Sequence, residues 1–245
     1  QVSQKLIVAH GLPFDGLTYG VEVAADYRIE KVQKIDDGYL FNLFTPNEEF
    51  FGVKLNQLGV HNLSNMLCAL AIVDQVGVSP KKALSSLETF PGVYRRMNVL
   101  RWKNAWIIDD YAHHPTEINT VFETLNSFYP EQKNCVVFQP HLFSRTQDFY
   151  TEFIEVLSQF DEIVLLNIYP AREKPIEGIS SQNMLNDLNH PNKKLIEKSK
   201  IAEAMEESDA QVFALLGAGD IGEQIHLLKA KLEILSTEGG TFNFS

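Results

Sequence analysis

Cysteine is scarce in this chain. Cys68 and Cys135 are the only two among 245 residues, and each sits inside an apolar run, LCALAIV and CVVF. Such placement predicts two buried, free thiols and no disulfide framework, which suits a reducing cytoplasm. Basic charge is also short, with 21 Lys and Arg against 32 Asp and Glu and a formal net charge of −11. Non-specific binding to nucleic acid or to an anionic membrane needs a basic footprint, so neither partner is expected. A local basic site for a phosphorylated ligand stays open. No apolar run approaches the ~18 residues that a membrane span requires, and no signal-peptide pattern is present. Three chemical signatures are missing as well. There is no G-x-x-x-x-G-K-[ST] phosphate loop, no Cys/His cluster with zinc spacing and no G-x-S-x-G elbow. No metal site is therefore expected within the chain.

What is there divides in two. Residues 1 to about 58 read as β-rich: YGVEVAADYRIEKVQ, YLFNLFTP and FFGVKL are short runs separated by turn signals at Asp36-Asp37-Gly38 and Pro46-Asn47. Charges between apolar residues predict an antiparallel sheet with one wet face. A helix over about 61–76 follows, with Gly77 placed to end it. A second opens at Ser79-Pro80 and runs to about Thr89. Phe90-Pro91-Gly92 then breaks the chain, and a domain boundary is placed near residue 98.

Beyond it, strands alternate with helices. NVLRW, AWIIDD, NCVVFQ, DEIVLLNI and QVFALL are the strands, and helices fit near 115–128, 144–159, 180–189, 199–207 and 220–234. Near-continuous apolar strands predict a mainly parallel, doubly wound α/β sheet covered on both faces. The tail after Ser236 is expected to be loosely ordered.

In such a sheet, ligands bind beyond the carboxyl ends of the strands. Four strand-to-helix junctions carry unusual residues. In the first, Asp109-Asp110-Tyr111-Ala112-His113-His114-Pro115, Pro115 sets two histidines at a helix start, where free N–H groups favour an anion. In the second, Gln139-Pro140-His141-Leu142-Phe143-Ser144-Arg145, Ser144 and Gln147 fit a capping box, with His141 and Arg145 around the helix entrance. The third is Tyr169-Pro170-Ala171-Arg172-Glu173-Lys174. The fourth, Gly217-Ala218-Gly219-Asp220-Ile221-Gly222, matches G-x-G-x-x-G. It lacks the strand and acid that a dinucleotide fingerprint needs further on, so it reads as tight helix–strand packing. Arg95 and Arg96 are paired cations at the predicted boundary, suited to a phosphate or nucleotide.

The stretches DDYAHHPTE, FQPHLFSRT and GVHNLSN resemble the Mur ligase family over nearly the whole chain. The resemblance implies residues 1–97 as the end of a central ATP-binding domain and 98–245 as the C-terminal ligase domain. FQPHLFSRT resembles most closely the branch that joins L-alanine to UDP-N-acetylmuramate, in which ATP makes an acyl phosphate and Mg²⁺ assists. Carried over by motif, His61, Asn62, Asn65, Arg96 and Asp109 would serve ATP. Tyr111, His113, His141 and Arg145 would face substrate, the last three as catalytic residues. Leu142 stands where some members place Arg, so an ionic contact from that position is missing. The family's phosphate loop and metal ligands, with its N-terminal domain, are expected upstream of Gln1, so this chain alone is expected to be inactive.

Four rival readings follow from the same residues. They are a stand-alone binding module of this fold, the murein tripeptide-recycling ligase of the family, a folate- or glutamate-adding ligase, and a metal-dependent phosphohydrolase built on Asp109, Asp110, His113 and His114.

Overall fold

The computed structural model describes residues 6–87, 90–224 and 227–228. The chain divides into two compact units, at Val93 and Tyr94. Residues 94–97 fall with the second unit, because Arg95 and Met97 are hydrogen-bonded to the strand that ends at Asp110.

In the first unit, β1 (Ile7–Ala9), β2 (Leu17–Val21), β3 (Tyr27–Ile35), β4 (Gly38–Phe44) and β5 (Glu49–Leu55) form one sheet in sequence order. The expected all-antiparallel sheet is corrected in part. β1–β2 and β2–β3 are parallel, whereas β3–β4 and β4–β5 are antiparallel. Alternation reports which face a side chain occupies and carries no information on a partner's direction. Helix α1 (Val60–Gln75) packs its Leu63, Met66, Leu67, Leu70 and Ala71 face on this sheet. Gly77 follows at φ +89°, a conformation that glycine adopts without a Cβ clash. The buried Tyr27 closes the unit: its hydroxyl donates to Asp74 at 2.6 Å and accepts from Gln75 at 2.8 Å. Burial, then the Asp74 bond, pushes this phenol up to about 12. Helix α2 (Pro80–Ser85) starts with Pro80 in its first turn. Its expected continuation to Thr89 reaches residues 88 and 89, which lie outside the described residues.

The second unit has a six-stranded sheet of β6 (Asn98–Trp102), β7 (Ala105–Asp110), β8 (Asn134–Phe138), β9 (Glu162–Leu166), β10 (Lys193–Ile196) and β11 (Val212–Leu216). Its order is β10-β9-β8-β11-β7-β6, parallel except for the antiparallel edge strand β6. Buried on both faces, β8 and β11 are apolar nearly throughout, as expected of central strands. One face carries Ile107, Cys135, Val137, Val164, Leu166, Phe213 and Leu215 against Ile201 and Met205 of α7 (Ile201–Glu207). Helices α3 (Pro115–Phe128) and α5 (Tyr150–Leu157) pack on each other, and α3 lies on β11. Helix α6 (Ser181–Asp187) packs on β9 and β10.

Two sequence expectations change here. The helix drawn over 144–159 is two helices, α4 (Phe143–Asp148) and α5, broken at Phe149, whose ψ of 28° leaves the helical path. Strand β10 was not foreseen, since KKLI at a sheet edge is too polar and too short to stand out. Most of the helix expected over 220–234, and the tail after Ser236, lie outside the described residues.

Phe213, 1% exposed, sits mid-sheet with its ring edge-on to Trp102 at 6.4 Å. Phe213→Ala should cost about 3–5 kcal/mol, the range for emptying a buried aromatic site. Urea unfolding followed by a probe in the second unit measures it, and a loss under 1 kcal/mol would show that the face repacks.

Candidate active site

The parallel register puts the carboxyl ends of four strands on one rim, with Asp110 level with Leu216, Leu216 with Phe138, and Phe138 with Leu165. β11 lies between β7 and β8, yet both strands point the same way and their polar junctions meet on that rim. The His113 and His141 rings are 6.3 Å apart, and Arg145 Nη1 lies 3.2 Å from His141 Nδ1. Tyr111, partly exposed, sets its ring edge-on to His113 at 5.4 Å. His113, His141, Arg145 and Tyr111 are thus neighbours.

The two adjacent histidines separate by position. Pro115 takes the first helical place of α3, which makes His114 its N-cap. His114 Nδ1 accepts from the Thr116 N–H, and Glu117 accepts in return from the His114 N–H. His114 is therefore occupied with the helix end. The His113 side chain turns instead to the rim, where Nδ1 lies 2.9 Å from the Tyr111 carbonyl and 3.3 Å from Glu117 Oε2. Both neighbours are acceptors, so Nδ1 carries a proton, and in the uncharged form of the ring the lone pair lies at Nε2. His141 has the opposite tautomer. Guanidinium has donors only, so Arg145 fixes His141 Nδ1 as an acceptor and leaves the proton on Nε2. Burial first, then the charges of Arg145 and His113, lowers the His141 pKa from the usual 6.5, with Glu173 acting against them.

The capping box expected from Ser144 and Gln147 is absent. Leu142, at φ 73°, is the N-cap of α4 and no side chain of α4's own caps it. Glu173, from the junction after β9, accepts from both the N–H and the hydroxyl of Ser144. A helix end can be capped by a carboxylate remote in sequence, which local spacing cannot reveal.

Asp109 stands apart from its expected role. Its carboxylate forms a buried ion pair with Arg95 at 3.0 Å, with side chains 2% and 5% exposed. Arg95 also donates to the carbonyls of Gly219 and Asp110. Of the arginine pair, Arg95 is thus the buried structural member and Arg96 the exposed one. Asp110 accepts from the N–H groups of Met97 and Ala112. Asn62 is buried at the start of α1 and donates its amide to Leu58 O at 2.7 Å, whereas His61 and Asn65 are exposed there. Sequence reasoning placed Arg95, Gln139, Tyr169 and Glu173 in its junctions or at its boundary but did not assign them these contacts. Which arginine of a pair is buried, and what a remote loop touches, leave no mark on local spacing.

The glycine-rich junction after β11 is filled by the protein itself. A Cβ on Gly219 would lie 2.5 Å from Gln139 Oε1 and 2.8 Å from Tyr169 Cβ, and one on Gly222 would meet Arg95. Gln139 accepts from Ile221 N and donates to Asp220. Burial pushes the Asp220 carboxyl up, but bonds from Lys198 and Gln139 outweigh it and hold the pKa low. Among the described residues, no group of three or more His, Cys, Asp or Glu is placed to hold a metal ion. No helix there is long and apolar enough to cross a membrane.

Residues 95–222, more than half of the chain, match the Mur ligase glutamate ligase domain, and residues 5–73 match the Mur ligase middle domain. The chain belongs to the Mur ligase family. Among curated relatives, the UDP-N-acetylmuramate–L-alanine ligases of Flavobacterium psychrophilum and Christiangramia forsetii are 44% and 43% identical, over 94% and 93% of this chain. Each alignment takes in 51% of the relative, so the chain spans about half the length of the curated relatives it matches. A solved UDP-N-acetylmuramate–alanine ligase from Thermotoga maritima superposes with a TM-score of 0.65 at 26% identity, covering 91% of this chain and 48% of that one. A folylpolyglutamate synthase from the same organism reaches 0.66 at 17% identity, covering 87% and 48%, and shares the fold alone. The expected fold class, a doubly wound, mainly parallel α/β unit after a β-rich and helical one, is the observed architecture.

If Arg145 holds down the His141 pKa, Arg145→Met should raise it toward 6.5. Histidine-ring NMR titration of the chain reads this directly, and an unmoved or lowered value would contradict the contact. Arg95→Met should cost about 3–5 kcal/mol, because it leaves Asp109 buried without its partner. Arg95→Met with Asp109→Leu should recover much of that loss in urea unfolding.

Proposed function

We propose that this chain is part of a cytoplasmic, ATP-dependent ligase that joins the amine of L-alanine to the carboxylate of UDP-N-acetylmuramate in peptidoglycan synthesis. In this reading, the unit up to Val93 ends the central ATP-binding domain and the unit from Tyr94 on is the C-terminal ligase domain. The observation that carries it is the convergence of His113, His141 and Arg145 on one rim. It is supported by identities above 40% to relatives named for this reaction. The folylpolyglutamate synthase that shares the fold is only 17% identical, against 41–44% for the relatives named for the L-alanine reaction. The phosphohydrolase reading loses its basis, because Asp109 is held by Arg95 and His114 caps a helix.

The residues described here do not make a complete ATP–Mg²⁺ site. They lack a metal-ligand cluster, and the glycine-rich loop is occupied by side chains. Exposed His61 and Asn65 in the first unit and exposed Arg96 in the second are suited to a nucleotide, whereas Asn62 donates to Leu58 O and Asp109 is held by Arg95.

What the rim residues can do follows from their protons. His113, whose uncharged form has its lone pair at Nε2, can take a proton from the alanine ammonium and free the amine that attacks the acyl carbon. His141 presents Nε2–H and Arg145 a guanidinium, so both can donate to oxygen that gains negative charge as the tetrahedral centre forms. Tyr111 walls the His113 side. Acceptor and donors side by side match a reaction that moves a proton off nitrogen while charge builds on oxygen.

In the complete ligase, Arg145→Ala should lower kcat on the order of 10²-fold, as for removal of one oxyanion donor, with KM for ATP changed much less. An unchanged kcat with a raised KM for ATP would place Arg145 at the nucleotide instead. This chain by itself should release no phosphate from ATP when given alanine and UDP-N-acetylmuramate, and alanine-dependent release would refute the division of labour proposed here.

A further inference from the structure

The junction after β9 has no role in the mechanism above, yet it touches that site at three points. The Tyr169 N–H donates to Pro140 O at 2.8 Å, and Tyr169 O accepts from the Leu142 N–H at 2.9 Å. These two main-chain bonds bracket His141 from both sides in sequence and form a parallel β-bridge between His141 and Tyr169. The Tyr169 ring then lies flat on the His141 imidazole, with centroids 5.6 Å apart and planes 15° off parallel. Third, Glu173 holds the hydroxyl and the N–H of Ser144, one residue before Arg145.

The junction is itself anchored. Glu173 N–H donates to Pro170 O, closing a turn in which Ala171 has φ 50°. That turn brings the carboxylate back to the start of α4. On the other side, Gly219 lies close enough to Tyr169 that a Cβ there would come within 2.8 Å of two Tyr169 atoms. Gly219 O is in turn held by Arg95 Nη1. A line of contact therefore runs from the buried Arg95–Asp109 pair through Gly219 and Tyr169 to His141.

We propose that Tyr169 and Glu173 are positioning residues, which set the plane of the His141 imidazole and the entry of α4 so that His141 Nε2–H and the Arg145 guanidinium aim at one substrate oxygen. The inference rests on the proposed role of those two residues. The leverage comes from distance. Leu142 enters α4 with a positive φ and no cap from its own helix, so the His141–Arg145 geometry depends on bonds made from outside. A shift of about 1 Å at reacting groups can cost on the order of 10²-fold in rate. The charged groups facing His141 are Arg145, His113 and Glu173. Loss of the Tyr169 ring also uncovers the imidazole, so its titration should move up toward the usual value.

The test is a set of variants in the complete ligase, with kcat and KM measured for each substrate and thermal melts for each protein. Tyr169→Ala should lower kcat on the order of tenfold to a hundredfold with KM for ATP unchanged. Tyr169→Phe, which keeps the stacked ring, should retain kcat. Tyr169→Leu, which keeps bulk without the flat ring, should lose kcat while melting with the parent, and it replaces the alanine variant if that one unfolds. Glu173→Ala should fall between. In a His141→Ala background, Tyr169→Leu should add little, because the residue it positions is already gone. The proposal is overturned if Tyr169→Leu leaves kcat intact, if Tyr169→Phe falls as far as Tyr169→Leu, or if the two losses multiply. If instead His141→Ala and Arg145→Ala are themselves silent, the catalytic reading of the rim fails, and the positioning role of Tyr169 and Glu173 fails with it.

Discussion

The second unit is organised around a charge pair almost closed off from water. Arg95 and Asp109 meet at 3.0 Å with almost no exposed side-chain surface. Removing two charges from water is costly, and their attraction offsets that cost only if the remaining polar atoms are also satisfied. Arg95 meets this condition through the carbonyls of Asp110 and Gly219. The requirement ties the segment before β6, the end of β7 and the loop after β11 to one guanidinium. It also explains why Gly219 and Gly222 lack side chains: Tyr169, Gln139 and Arg95 need the space.

From that anchor the rim is built outward by groups that each do two things. Gln139 continues β8 and, with its side chain, holds the start of the chain beyond Gly219. His114 ends a loop and caps α3, which frees its neighbour His113 to face the rim. The outcome is two imidazoles with opposite tautomers, each fixed by a partner that can only donate or only accept. Burial and the nearby guanidinium keep His141 neutral near pH 7. Its donor role is therefore built in before any ligand arrives, which is the condition for electrostatic preorganisation.

All strands of the second unit but the polar edge strand β10 were legible, because the central ones are compact apolar runs between polar turns, and α3 because Pro115 marks its start. The polar junctions were legible as a group because they directly follow those strands. Where reading failed, the signal was not local. Phe149 divides α4 from α5 without a proline or glycine to announce it. Parallel pairing of β1–β2–β3 depends on the path of the chain and not on side-chain alternation. Ser144 and Gln147 matched a capping box by spacing, yet the cap came from Glu173, 29 residues away.

By itself the sequence determined the α/β class of the second unit, the two histidine-bearing junctions and the family. Those depend on hydrophobic runs and on short motifs, both written within a few residues. Only the tertiary structure decided which of two adjacent residues did what. It made Arg95 rather than Arg96 the buried cation, turned His114 to capping α3, and gave Asp109 an ion-pair partner. It also brought Tyr169 onto His141. The physical reason is common to all four. Burial, tautomer and stacking are set by what lies across the fold from a residue, and a one-residue change in position along a strand or helix end is enough to turn a side chain from solvent to core.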